Sequence, residues 1–205
     1  MLAANTTDGA PTIQEVAVYF GSKLLRGNRS HKESAQSFDA IISPNYPALV
    51  DAGVEFKINN MALYRDPAPE IKTHTRMEPN VAWLPLFPGM SFHYFDKILD
   101  TDGLRGIVLS TYGSGNAPST PEFKNLLFRA RDLSIPVVNI TQCGHGGVHP
   151  ELYATSLTLS EAGVISGGDM TNEAALTKLM ITLGTTDDLD TITAAIRQDL
   201  RGELS

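Results

Sequence analysis

Only one cysteine, Cys143, stands among the 205 residues, so no disulfide can form within the chain. That points to a reducing compartment. Positive charge is also in short supply. Sixteen Lys and Arg face 23 Asp and Glu, a formal net charge of -7, and with the basic residues scattered a nucleic-acid partner is not expected. No apolar run approaches the ~20 residues that a membrane helix needs. The opening Met1-Leu2-Ala3-Ala4-Asn5-Thr6-Thr7-Asp8 has neither the basic region nor the apolar stretch of a signal peptide. The expectation is a cytoplasmic protein with no membrane attachment. What is present suits a folded α/β protein, with 42% hydrophobic and 19% charged residues.

The chain is organised around Gly103–Pro118. Ile107, Val108 and Leu109 form a continuous apolar run, as expected of a parallel strand covered on both faces. A glycine-rich loop, Tyr112 to Asn116, follows, and then Ser119-Thr120-Pro121-Glu122 starts a helix with a hydroxyl cap and a proline in its first turn. Strand, glycine loop and capped helix place polar groups at the carboxyl end of a parallel sheet, where open α/β folds hold ligands. No Gly-Lys-Ser/Thr follows the loop, so it does not read as a phosphate cradle.

Taken in order, residues 1–12 resemble a frayed helix end. Val16–Phe20 reads as a strand, with Gly21-Ser22 a hairpin turn into Lys23–Arg26. Arg26 to Glu33 reads as a polar loop. A strand at Phe38–Ile42, a short helix around Pro47–Ala52 and a strand at Val54–Ile58 come next. Residues 59–79, with Pro67, Pro69 and Pro79 among mixed charges, read as a linker. Regular alternation begins after it. Strands are expected at Val81–Leu86, Arg105–Ser110, Ile135–Thr141 and Val164–Ser166. Helices are expected near Ser91–Leu99, at Pro121–Leu133, around Glu151–Ala162 and at Asn172–Leu183. A last helix carries Leu189, Ile192, Ile196 and Leu200 on one stripe. The expected architecture is α/β: a C-terminal four-stranded parallel sheet with flanking helices over 80–205. Residues 1–58 would be an incomplete remnant of a larger α/β N-terminal domain.

Three residue groups could carry chemistry. Cys143 lies in a glycine-rich turn with His145 and His149, which makes it either a nucleophile beside a base or a small packed side chain. The two histidines have the spacing of a metal pair. Gly146 and Gly147 lie between them, however, and no third ligand is near, so no metal site is expected. Lys32 sits amid Arg26 and Arg29. Crowding by cations favours the neutral amine, a base for a hydroxyl nucleophile, while the alternative is a solvated basic loop.

Several strings together resemble the type I (bacterial cytoplasmic) L-asparaginase family. They are Glu15-Val16-Ala17-Val18-Tyr19-Phe20, Arg26-Gly27-Asn28-Arg29 with Lys32, Phe38-Asp39-Ala40 and Ser43-Pro44-Asn45. Tyr112-Gly113-Ser114-Gly115-Asn116-Ala117-Pro118, Val138-Asn139, Thr141-Gln142-Cys143 and Ala162-Gly163-Val164-Ile165 continue the likeness. Asp169-Met170-Thr171, Glu173 to Leu179 and Leu200-Arg201-Gly202-Glu203-Leu204 complete it. The resemblance implies hydrolysis of L-asparagine to L-aspartate and ammonia by a threonine nucleophile served by a Thr–Lys–Asp group, with no cofactor. It makes Lys32 the catalytic lysine and Asn116 a substrate-binding residue that reaches a neighbouring subunit's site. It also implies a homodimer or homotetramer. Some members bind asparagine at a second, regulatory site. The matching positions here are His31, Ser110 and Cys143, with Ser110 where the family has an arginine, so cooperative control is expected to be weak.

Two family motifs, Thr-Gly-Gly-Thr with the nucleophile and Gly-Thr-Asp-Thr with the second threonine and aspartate, occur nowhere in the 205 residues. The chain therefore reads as the C-terminal portion of an asparaginase, inactive by itself. The rival readings are a noncatalytic oligomerisation or effector-binding module, one half of a split enzyme, and a Cys143-based amidohydrolase.

Overall fold

The structure, a computed structural model, describes residues 13–65, 73–149 and 155–205. Two compact units divide the chain: Met1–Thr73 with Arg201–Glu203, and His74–Leu200 with Leu204–Ser205. The helix end expected over residues 1–12 lies outside the described residues.

In the first unit the described elements are β-strands and one tight turn. β1 (Ala17–Phe20) and β2 (Lys23–Arg26) pair antiparallel across Gly21-Ser22, with Phe20 opposite Lys23. Both turn residues have positive φ, 54° and 62°, the two-residue geometry that matches strand twist. Beyond β2, Gly27–Arg29 makes a 3-10 turn. β3 (His31–Lys32) then pairs antiparallel with β4 (Ile41–Ile42). The polar run is thus a turn and a strand, not a loop.

The longer strand expected at Phe38–Ile42 shrinks to its last two residues. Ser34 Oγ accepts from the amides of Gln36 and Ser37, and Ser37 Oγ from that of Asp39. Such local bonds compete with a ladder, and Phe38 is left almost fully exposed. The helix expected around Pro47–Ala52 is instead β5 (Val50–Ala52), which pairs with β2 on one side and β6 (Phe56–Ile58) on the other. Pairing with two strands satisfies backbone groups that a single helical turn would leave open. The sheet order is β1-β2-β5-β6, over a small core of Leu49, Val50, Ala62 and Leu63. Ala62 and Leu63, read with the linker from their polar surroundings, are therefore core residues.

The second unit is the expected parallel sheet. β7 (Val81–Pro85), β8 (Gly106–Thr111), β9 (Val137–Thr141) and β10 (Ile165–Ser166) lie side by side in sequence order. All their pairings are parallel. The period-2 alternation of a strand sends Ile107, Leu109 and Val137 to one core and Val108, Val138 and Ile140 to another. The first core is closed by α1 (Phe92–Leu99), α2 (Pro121–Asp132) and α3 (Thr155–Glu161), through Phe95, Phe123, Leu127 and Leu159. The second is closed by α4 (Asn172–Leu183) and α5 (Leu189–Arg197), through Ala175, Leu179, Ile192 and Ile196. Cover on both faces is why β8 is buried along its whole length.

The helix starts follow their caps. Thr120 Oγ1 accepts from the Phe123 amide with Pro121 next in the chain, Thr171 Oγ1 from that of Ala174, and Asp188 Oδ2 from that of Thr191. α5 stops before Leu200, the last residue of the stripe that the sequence predicts for it. Buried Lys178 donates to the carbonyls of Ile196 and Gln198 and takes up that helix end. Among the described residues no helix is long and apolar enough to cross a membrane.

Candidate active site

Lys32 and His31 belong to the first unit, and Asn116, Ser110 and Cys143 to the second. Each group has its own local construction.

Lys32 is exposed at the end of β3 and lies opposite Ile41. Beyond it the amides of Glu33 and Ser34 both donate to the Ala40 carbonyl, at 2.9 and 3.3 Å, closing the hairpin. The crowding by cations read from the sequence takes a different form in space. Arg26 and Arg29 are 3% and 1% exposed, and their charges are taken up inside the unit. Arg26 is ion-paired with Glu15 and donates to the carbonyls of Ala62 (2.8 Å) and Gly202 (3.2 Å). Burial opposes its charge, but the hydrogen bond and charge of Glu15 outweigh that and raise the guanidinium's pKa above its ordinary value. Arg29 Nε donates to the same Gly202 carbonyl at 2.8 Å. The Tyr46 ring lies 4.2 Å from the Arg26 guanidinium carbon and 5.1 Å from that of Arg29.

Asn116 ends the glycine loop at the carboxyl end of β8. Its amide and carbonyl exchange 2.8 Å bonds with those of Tyr112, closing a tight loop over Gly113, Ser114 and Gly115. Buried polar residues link β8 to β9 beneath the loop, and one of them bonds the loop itself. Thr111 Oγ1 donates to Asn139 Oδ1 at 2.7 Å, and Thr141 Oγ1 donates to the Gly113 carbonyl. Gly115 has φ 112°, and a Cβ there would meet Val148 Cγ1 at 2.8 Å, so this close approach requires glycine. The His149 amide donates to Ser114 and that of Val148 to Gly168. The loops after β8, β9 and β10 are thereby stitched into one surface at the carboxyl end of the sheet, the ligand-holding end of open α/β folds.

Ser110 is 1% exposed, and its hydroxyl accepts from the Trp83 indole N–H at 2.7 Å. Its carbonyl accepts from Gln142 Nε2 at 2.8 Å, which ties it to the residue before Cys143. Cys143 is exposed, and its amide donates to Thr141 Oγ1 at 3.0 Å. Neither His145 nor His149 has a hydrogen bond to its thiol, although both are exposed in the same turn region. Among the described residues no group of three His, Cys, Asp or Glu is assembled as a metal site.

Two sets of site-shaping residues escaped the sequence reading. Thr111, Asn139 and Thr141 are buried polar residues inside apolar strands, and that interruption of Val-Val-Asn-Ile-Thr was the available signal. The contacts of Arg26, Asn28 and Arg29 with residues 201–202 span more than 170 positions and left no local trace.

Family models match the chain in two consecutive stretches. The asparaginase N-terminal model covers residues 1–64, and the glutaminase/asparaginase C-terminal domain model covers 80–196. The chain belongs to the glutaminase/asparaginase family. L-asparaginase 1 of Escherichia coli K12 is 41% identical over 197 residues, covering 94% of this chain and 57% of that protein. The mouse 60 kDa lysophospholipase is 36% identical over 207 residues, all of this chain but 36% of the relative. The crystal structure of L-asparaginase I from Vibrio cholerae superposes with a TM-score of 0.88 at 37% identity, covering 95% of this chain and 58% of that one. This asparaginase-family chain spans little more than half the length of its bacterial relatives.

Proposed function

We propose that this chain forms part of an L-asparaginase, hydrolysing L-asparagine to L-aspartate and ammonia, with Lys32 as the proton-accepting amine. The observation that carries the reading is the ordered match of both asparaginase family models, with the Arg-Gly-Asn-Arg and Lys32 segment inside the first. In this reaction a threonine hydroxyl attacks the side-chain amide carbon as its proton passes to the lysine amine. The tetrahedral intermediate collapses, ammonia leaves with a proton, and water then hydrolyses the acyl ester to aspartate. No metal or organic cofactor takes part in these steps.

The exposed position of Lys32 on β3 leaves its amine accessible to a hydroxyl presented from outside the ribbon. Neither threonine motif of the family occurs in the 205 residues, so the chain alone is expected to release negligible ammonia. Asn116 is assigned to substrate binding, in a loop tied to β9 by the Thr141 hydroxyl on the Gly113 carbonyl. The reading includes a homodimer or homotetramer in a cytoplasmic setting. It also makes partner surface of the exposed Phe38, Val54, Phe56 and Met61 of the first unit.

The test is ammonia release from L-asparagine by this chain joined to the N-terminal segment of the E. coli relative, which supplies the threonines. Activity should fall about 10²–10⁴-fold in Lys32→Ala, the usual contribution of a general base.

A further inference from the structure

We propose that residues Arg201–Glu203 act as a strap that sets the position of Lys32, with Arg29 and Gly202 as positioning residues. The significance of the position rests on the reading of Lys32 as a base, while the strap itself does not. β3 has only two ladder pairs, His31 with Ile42 and Lys32 with Ile41. A ribbon this short does not hold itself in water. One end is closed by the amides of Glu33 and Ser34 on Ala40. The other end enters from the 3-10 turn Gly27–Arg29, and the side chains in and beside this turn are fastened to the same two residues of the strap.

Asn28 Nδ2 donates to the Arg201 carbonyl at 2.8 Å, and Arg29 Nε and Arg26 Nη1 donate to the Gly202 carbonyl at 2.8 and 3.2 Å. Ser30, the residue between the turn and β3, is fixed by its hydroxyl on the Arg26 carbonyl at 2.7 Å. Lys32 thus follows directly on a segment locked at Arg26, Asn28, Arg29 and Ser30. Charge-assisted bonds from two buried guanidiniums to one carbonyl are directional and costly to leave unmade.

The centre of the strap favours glycine. Gly202 has φ 76°, and a Cβ there would lie 2.2 Å from Arg26 Nη1. Glu203 is 5% exposed and its carboxylate accepts from the Arg201 amide at 2.6 Å, which curls the strap onto itself. Glu203 and Glu15 together bring two negative charges to the unit that buries Arg26 and Arg29. A tail far along the chain therefore completes the local structure in which Lys32 sits.

The test uses the 205-residue chain and needs no catalysis. Amide hydrogen exchange is followed in Gly202→Ala, Arg29→Lys and Asn28→Ala, and the Lys32 signal is read by NMR after 13C-methylation, assigned by its loss in Lys32→Arg. The strap predicts that exchange over residues 27–42 rises about tenfold or more while β8 and β9 are unchanged. It also predicts that the Lys32 signal moves in all three variants. An unchanged 27–42 segment, a rise shared equally by β8 and β9, or a fixed Lys32 signal would overturn it. Should Gly202→Ala not fold, Asn28→Ala decides, since it removes one bond and adds no bulk. Because no asparagine is turned over, failure of the strap leaves the asparaginase reading standing, and failure of that reading leaves the exchange result standing.

Discussion

At the residue scale, charge is handled differently in the candidate catalytic residue and in its sequence neighbours. Lys32 is exposed, whereas Arg26 and Arg29, which share its polar stretch, are among the most deeply buried side chains. Sequence position alone suggested a cluster of like charges. Folding instead gives each guanidinium carbonyl acceptors, and gives Arg26 the carboxylate of Glu15. The thiol reading has its own test at the same scale. Cys143 is exposed, its resolved bond is from its backbone amide, and no histidine hydrogen-bonds its thiol. Cys143→Ser in the reconstituted enzyme is therefore expected to retain asparagine hydrolysis, checked by ammonia release before and after a thiol-alkylating reagent. Loss of activity in the serine variant would restore the thiol mechanism.

At the element scale, caps set where the helices of the second unit begin. Thr171 caps α4, whose Ala175 and Leu179 fill the core against β8. Thr171→Ala should cost about 1 kcal/mol, read as a shift of the denaturant midpoint at unchanged slope. Asp188 caps α5, and its hydrogen bonds from Thr191 hold its carboxyl below the ordinary carboxylate range. A carboxyl with a lowered folded-state pKa adds stability above its unfolded value and loses it as pH falls through the folded one. Asp188→Asn should thus narrow the gap to wild type on acidification, from a deficit near neutral pH to near parity once both carboxyl states are protonated. Midpoints measured across that range check the sign.

Elements ruled by local signals were legible in the sequence. The Gly21-Ser22 hairpin, the Thr-Pro start of α2 and both ends of α4 lie where turn chemistry and caps put them. Elements decided at a distance were not. Val50–Ala52 is a strand because β2 and β6 flank it, and Ile41–Ile42 is short because serine side chains upstream capture the backbone. The loop carrying Asn116 was visible from its glycines. The Thr141 bond to the loop, the Thr111–Asn139 bond, and the contacts of Arg29 and Asn28 with residues 201–202 join remote positions.

At the scale of the whole molecule, the proposed function divides the chemistry: Lys32 of this asparaginase-family chain would serve a nucleophile from a segment bearing the family's threonine motifs. The most direct measurement compares three proteins in one ammonia-release assay with L-asparagine: this chain alone, the chain joined to the N-terminal segment of the E. coli relative, and that fusion carrying Lys32→Ala. The expected result is no turnover above background for the chain alone, clear hydrolysis by the fusion, and a fall of about 10²–10⁴-fold with Lys32→Ala. A Lys32→Ala fusion as active as its parent, or turnover by the chain alone, would contradict it.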